Sequence, residues 1–320
     1  MLHPTMSVKI AKRAMEAADV VLLELVDPAG EALPPFGAGS HIDVEVRPGL
    51  VRQYSLCNAP DERHRYRIAV LLERGGRGGS AAMHALTEGS LLRISAPRNH
   101  FALDNGAPRS LLFAGGIGVT PILCMAERLS AIGAEFAMHY ASRTPARAPF
   151  RDHIARSRFA DRVDFYFSRD ESGGRPDLDA IVSSAGLETH VYVCGPAPFI
   201  EAVLAAAARR GIPDQQVHRE YFAMNDAQLG DSAAFQVKLA SSGVVLDIPE
   251  DATVVDVLRE HGFDLPTSCE QGVCGTCLTR VLEGLPDHRD YFLTNEERER
   301  NDRFTPCCSR AKSTMLVIDL

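Results

Sequence analysis

The chain has 320 residues, 45% hydrophobic and 24% charged, a composition suited to two or three folded domains. A formal net charge of -8, with no basic block to offset it, argues against nucleic acid as a partner. The longest uncharged stretch, residues 110–126, is broken by Gly115, Gly116, Gly118 and Pro121, so it reads as strand, turn and helix start, not as a membrane span.

Up to about residue 104 the pattern is one of short alternating runs, at 20–25, 41–46 and 65–71, separated by Gly/Pro-rich turns. This suits a small antiparallel barrel. From Arg109 the texture changes. Buried-type strands at 110–114, 136–140, 163–167 and 191–194 alternate with helical segments at 121–132 and 198–210, which predicts a parallel α/β sheet. A polar stretch at 225–232 reads as a linker. Beyond it, strands at 235–239 and 244–248 flank a Ser-Ser-Gly turn and form a hairpin. Thr253 is placed to cap an amphipathic helix running to about His261. A cysteine-rich loop follows, and an apolar strand at 315–320 ends the sequence.

Residues 1–7 lack the basic start and apolar core of an export signal, and most of the eight cysteines cluster late. Metal or redox use in a reducing cytoplasm is therefore expected in preference to disulfides. The loop Cys269-Glu-Gln-Gly-Val-Cys274-Gly-Thr-Cys277 has the four-and-two spacing of a plant-type [2Fe–2S] cluster, which needs a fourth, distant cysteine. Cys307 supplies it. Its neighbour Cys308 is not excluded by spacing and is read as a packed thiol. Zinc is the competing metal, but a zinc ribbon shows two Cys-x-x-Cys pairs where this sequence has one. Gly272 and Gly275 allow the backbone to approach the cluster sulfur closely.

Gly115-Gly-Ile-Gly118-Val-Thr-Pro121 follows an apolar strand and opens a helix, where glycine backbone and a helix N-terminus suit a pyrophosphate. The spacing is not Gly-x-Gly-x-x-Gly, so a simple dehydrogenase is not indicated, and a plain strand-to-helix turn is the alternative. A second strand ends at Cys194-Gly195-Pro196, on the side where open α/β sheets bind ligands. In the first domain, Arg52-Gln-Tyr54-Ser55 joins a cation, an aromatic plane and a hydroxyl. Gly75-Gly-Arg-Gly78-Gly79-Ser80 offers backbone N–H groups for an anion nest, or else a flexible hairpin loop.

These segments, with PRNHF at 97–101, EYF at 220–222 and CCSRAKS at 307–313, resemble the phthalate dioxygenase reductase family, which includes vanillate O-demethylase reductases. The resemblance spans nearly the whole chain. It implies an FMN-binding β-barrel at 1–104, a NAD-binding α/β parallel-sheet domain at 105–226 of the ferredoxin-reductase type, and a β-grasp plant-type ferredoxin domain at 233–320. It also implies that Arg52, Tyr54 and Ser55 line FMN while Gly78, Gly79 and Ser80 cradle its phosphate. Gly115, Gly116, Gly118, Thr120, Pro121, Cys194, Gly195 and Pro196 would bind NADH. Phe222 would cover one flavin face until nicotinamide displaces it, and Arg143 would reach the adenosine ribose, where it leaves NADPH open. The family ending, with its ligand cysteine two places before the Ser-Arg pair, also favours Cys307 over Cys308.

Nicotinamide delivers two electrons as a hydride and a [2Fe–2S] cluster passes one, so a flavin between them is the expected bridge, and the chemistry is largely the cofactors'. The resemblance implies a Rieske-type oxygenase as electron acceptor, met transiently by a monomer through the ferredoxin face. Two other readings remain open at this stage: a reductase for another acceptor such as a P450, and a cluster-bearing redox sensor without turnover. The scattered histidines need no catalytic role. Asp287, Asp290, Glu296 and Glu297 are candidates for the docking face, but interleaved with arginines they read as a solvated helix face.

Overall fold

The computed structural model describes residues 5–47, 50–75, 78–169, 174–222 and 233–320; the expected linker at 225–232 lies outside them. Two compact units divide the chain between Phe222 and Ala223.

The first unit begins with a six-stranded antiparallel sheet: β1 (Thr5–Ala17), β2 (Val20–Val26), β3 (His41–Arg47), β4 (Leu50–Ser55), β5 (Tyr66–Leu71) and β6 (Leu91–Ser95), with the short helix α1 (Gly79–His84) between β5 and β6. The spatial order is β4-β3-β6-β1-β2-β5, and the end strands β4 and β5 also touch, which curls the sheet into a barrel. β1 is the longest strand, yet its register shifts after Ile10 and again after Met15. Each bulge flips the phase of the alternation, so no run of period two marks it in the sequence.

The second sheet holds β7 (Arg109–Gly115), β8 (Phe136–Ser142), β9 (Val163–Phe167), β10 (Thr189–Cys194) and β11 (Val217–Glu220). All pairings are parallel, in the order β11-β10-β7-β8-β9. The connecting helices are α2 (Val119–Ala131), α3 (Arg151–Ala155), α4 (Leu178–Ser183) and α5 (Ala197–Arg210). Leu111, Phe113, Val191 and Val193 pack against Ile200 and Val203 of α5, while Leu112, Ala114, Tyr192 and Cys194 face α2. Central strands covered on both faces read as continuous apolar runs, as the sequence does here.

Alternate residues of β2 serve different cores. Val21, Leu23 and Leu25 fill the barrel, whereas Val20 and Leu22 join Ile122, Leu123 and Met125 of α2 in a second cluster. The barrel and the parallel sheet are thereby welded into one unit.

The second unit has a mixed five-stranded sheet of the β-grasp kind and a separate two-stranded ladder. Its elements are β12 (Phe235–Leu239), β13 (Val245–Ile248), α6 (Val254–Glu260), β14 (Thr279–Glu283), β15 (Pro286–Asp287), α7 (Asn295–Arg300), β16 (Arg303–Phe304), β17 (Arg310–Ala311) and β18 (Met315–Ile318). The sheet order is β13-β12-β18-β14-β16, and the ladder is β15 with β17. β12 pairs antiparallel with β13 and parallel with β18. Thr253 and Asp256 form a reciprocal capping box on α6, whose Val254, Val257 and Leu258 cover the sheet. Arg310, only 6% exposed, donates to the carbonyls of Ala233, Pro249 and Ala252 at 2.7–3.0 Å and lies over the Phe235 ring. It ties the hairpin and the start of α6 together.

Two expectations are corrected. The segment after Gly78 is not a hairpin loop but α1, because Gly78 enters the left-handed region (φ +84°) and turns the chain into a helix; residues 76–77 of the glycine stretch lie outside the described residues. Asp290 is not on a solvated face. It is 1% exposed and accepts from Leu293 N–H at 2.7 Å, whereas Glu297 serves the capping box of α7. Among the described residues, no helix is long and apolar enough to cross a membrane.

Candidate cofactor sites

The parallel sheet changes direction between β7 and β10. The chain proceeds from β7 to β8 and β9 on one side, then returns to place β10 on the other. A crevice opens at such a switch point, at the carboxyl ends of the strands. Both glycine-bearing turns stand there. A Cβ on Gly118 would lie 2.3 Å from Cys194 O and 2.7 Å from Gly195 N; one on Gly115 would lie 2.8 Å from Pro196 Cδ, and one on Gly195 would lie 2.9 Å from Gly115 Cα. The two turns touch backbone to backbone, which only glycine permits. Gly116, at φ +55°, has nothing within 4 Å of where its Cβ would be and borders open space. Thr120 and Pro121 are buried at the start of α2, with Thr120 Oγ1 donating to Ile117 O at 3.1 Å, so they shape the turn from within. Arg143 is exposed just beyond β8, where its carbonyl accepts from Arg169 N–H at 3.0 Å.

Cys194 lies in register opposite Ala114 on one side and Glu220 on the other. Burial, reinforced by Glu220, holds the Cys194 thiol well above its ordinary value, so it is a neutral, non-nucleophilic group. Glu220 receives Ser55 Oγ–H at 3.5 Å. Burial pushes its carboxyl up to about 8 against that bond. Three strand ends, from β4, β10 and β11, thus meet at Ser55, Cys194 and Glu220. Glu220, within the EYF segment, carries no role in the sequence pattern, and the surrounding residues of β11 gave no signal of its burial. Phe222, half-buried, packs against the cluster containing Val119 and Cys194.

On the barrel, Arg52 runs along Gly79: a Cβ there would lie 3.0 Å from both Arg52 Cγ and Nε. A guanidinium and the first amides of α1 therefore converge, the donor set a phosphate requires. Ser80 Oγ accepts from Glu73 N–H at 3.0 Å. Tyr54 packs half-buried against the barrel core, and burial raises its phenol. The residues present fit a phosphorylated flavin.

In the second unit the cysteine loop turns at Glu270, Gly272 and Gly275, all left-handed at φ +52°, +68° and +67°. Glu270 is pinned by Arg259 at 3.0 Å. Gly275 lies under the Phe292 ring, 2.3 Å from where its Cβ would stand, and Gly272 lies under Cys308 Sγ. The thiols fall into two interacting pairs, Cys269 with Cys274 and Cys277 with Cys307. Gln271 N–H donates to Cys269 Sγ at 3.3 Å and Thr276 N–H to Cys274 Sγ at 3.5 Å. The bond from Cys269 draws the Cys274 thiol down to about 6 and drives Cys269 up. Paired thiols with amides aimed at sulfur fit a two-iron cluster in which each iron takes two thiolates.

Cys308 also interacts with Cys307, and it has Thr305 Oγ1 at 3.2 Å and the backbone of Gly272 against its sulfur.

Dinucleotide turns and a two-iron loop on one chain are the equipment of a flavin-linked iron–sulfur oxidoreductase. Residues 237–312 match the 2Fe-2S iron-sulfur cluster binding domain. A vanillate O-demethylase oxidoreductase from a Pseudomonas strain is 48% identical, over 97% of this chain and 98% of its own length. The solved phthalate dioxygenase reductase, described as a modular structure for electron transfer from pyridine nucleotides to [2Fe-2S], aligns over 99% of this chain and 98% of its own. Its TM-score is 0.80 at 37% identity. An intact type IV self-sufficient cytochrome P450 monooxygenase aligns equally well, with TM-score 0.80 and 37% identity, over 99% of this chain and 41% of its own. The chain belongs to the phthalate dioxygenase reductase family.

Proposed function

We propose that this protein is the NADH-dependent reductase of a two-component Rieske-type oxygenase that hydroxylates or demethylates an aromatic compound. The observation that carries the reading is the meeting of Ser55, from the flavin barrel, with Cys194 and Glu220, from the nucleotide sheet. A hydride donor and a flavin ring must be held face to face, and this is where the two modules present polar groups to one point.

Bound FMN and the [2Fe–2S] cluster convert the two electrons of a hydride into single-electron steps. The chain's residues do the positioning. Arg52 neutralises the flavin phosphate beside Gly78, Gly79 and Ser80, and Tyr54 and Ser55 line the ring. Phe222 would cover the remaining face of a bound flavin in the absence of nicotinamide. Gly115, Gly116 and Gly118, set by Thr120 and Pro121, receive the dinucleotide together with Cys194, Gly195 and Pro196. Arg143 reaches the adenosine ribose. Cys269, Cys274, Cys277 and Cys307 hold the cluster, and Cys308 packs beside it. The protein works as a cytoplasmic monomer and docks its oxygenase transiently.

Iron, sulfide and flavin analysis with anaerobic NADH titration tests this. FMN, two irons and bleaching of both chromophores are expected; if neither flavin nor cluster bleaches, the enzyme reading fails and a non-turnover redox sensor is left. A second acceptor class has one observation in its favour, the like-folded module within a self-sufficient P450 chain. Reconstituted turnover with a purified Rieske oxygenase supports the first acceptor. Efficient reduction of P450s with none of any such oxygenase supports the second.

A further inference from the structure

Tyr140, on β8, is completely buried and ends in a single O–H between two carbonyl oxygens: Gly116 O at 3.2 Å and Pro149 O at 3.1 Å. The first belongs to the glycine turn at the switch point. The second belongs to the loop that leads from β8 into α3. Tyr140 therefore spans two segments that never pair as strands.

The far end of that loop is gripped by the barrel. Phe150 is buried at φ +63°, a left-handed backbone that a bulky residue adopts only under constraint. Its N–H donates to Glu16 Oε1 at 3.0 Å. Beside it, Ala18 N–H donates to Ala146 O at 2.9 Å, and Asp19, at the tip of the β1–β2 hairpin, pairs with Arg147 at 3.4 Å and Arg74 at 3.0 Å. An unbroken path of hydrogen bonds runs from hairpin to loop to Tyr140 to the turn. In a trans peptide the C=O and N–H point oppositely. Gly116 O accepts from both the buried phenol and the Val119 N–H, so the other end of the same peptide, Ile117 N–H, faces away from these two donors.

We propose that Tyr140 is a positioning residue for the dinucleotide: its hydroxyl orients the 116–117 peptide toward the pyrophosphate, and Glu16 of the flavin barrel anchors the other end of the same brace. The proposal rests on the reading that the turn at 115–118 receives NADH. It makes affinity for the nucleotide depend on residues that do not touch it, one of them in the neighbouring module.

The test is steady-state NADH oxidation by the full-length holoenzyme with ferricyanide as acceptor. Tyr140→Phe removes one oxygen and keeps the ring. The NADH KM should rise roughly fivefold, the equivalent of one neutral hydrogen bond, with kcat held within about twofold. Glu16→Ala should raise KM in the same direction, and Glu16→Gln, whose amide oxygen still accepts from Phe150, should restore it. A merely structural role would lower thermal stability and leave KM alone, and that result overturns the proposal. Gly116→Ala, which places a methyl in the open space above the turn, separates the two levels. If it raises KM while Tyr140→Phe does not, the brace is wrong and the site stands. If both are silent, the site is lost along with the brace.

Discussion

The contact between the two glycine turns gives a prediction whose size can be worked out from geometry. In Gly118→Ala the new methyl would sit 2.3 Å from Cys194 O, 2.5 Å from Cys194 C and 2.7 Å from Gly195 N. All three are backbone atoms, in or directly after Cys194, the last residue of β10 and paired on both sides, so none can swing aside. Restoring ordinary van der Waals separation needs the turns to part by about 1 Å, a degree of overpacking that costs about 1–3 kcal/mol. A displacement of about 1 Å in groups that position a reacting pair lowers rates about 100-fold. Stopped-flow reduction of the flavin by NADH should therefore slow about 100-fold, while reduction of flavin and cluster by dithionite, which needs no nucleotide site, should proceed as in the parent. Gly211→Ala is the control. Gly211 closes α5 at φ +79° with nothing near its Cβ, so alanine there costs about 1 kcal/mol without moving either turn. A Gly118→Ala protein that accepts hydride at the parent rate, or that slows no more than Gly211→Ala, would refute the argument.

Cys307→Ser should lose the cluster, seen as loss of its visible and EPR signals and of iron and sulfide, while NADH still reduces the flavin; Cys308→Ser should keep all of them. The reverse pattern would show that the fourth ligand is Cys308. The Glu220 carboxyl, raised by burial from 4.5 to about 8, favours the folded state when protonated, so its contribution is complete below about pH 4.5 and is lost as pH rises toward 8. Against Glu220→Gln, the denaturation midpoint of the parent should fall steadily across that window, and parallel profiles would contradict the assignment. Arg310→Met strips three carbonyls of their donor in a buried setting and should destabilise the second unit by about 3–5 kcal/mol, measured by denaturant unfolding of the full chain. Lysine at that position, a point charge in place of a fork, should recover only part of the loss.

What could be read from the residues alone was whatever depends on neighbours along the chain. The four-and-two cysteine spacing, the glycines before α2 and the Thr253 cap are all local, because a tight loop, a strand-to-helix turn and a first helical turn are set by a few consecutive backbones. The continuous apolar runs of β7 and β10 announced a sheet covered on both faces for the same reason. The bulged β1 escaped, since two phase shifts erase its alternation, and so did α1, whose glycines looked like a loop.

Convergence was another matter. Ser55, Cys194 and Glu220 lie far apart in sequence and meet only because β10 pairs with β11 and the barrel packs against the same sheet. Asp290 looked like one more surface charge until its segment folded under the cysteine loop, where Tyr291 N–H donates to Gly272 O. Tyr140 carried no motif whatever. Its role comes from a hydroxyl reaching two carbonyls that β-pairing and loop closure deliver, and no residue type at any spacing encodes that meeting. Local geometry is written in short patterns, whereas the matching of distant polar groups is decided by how buried surfaces pack.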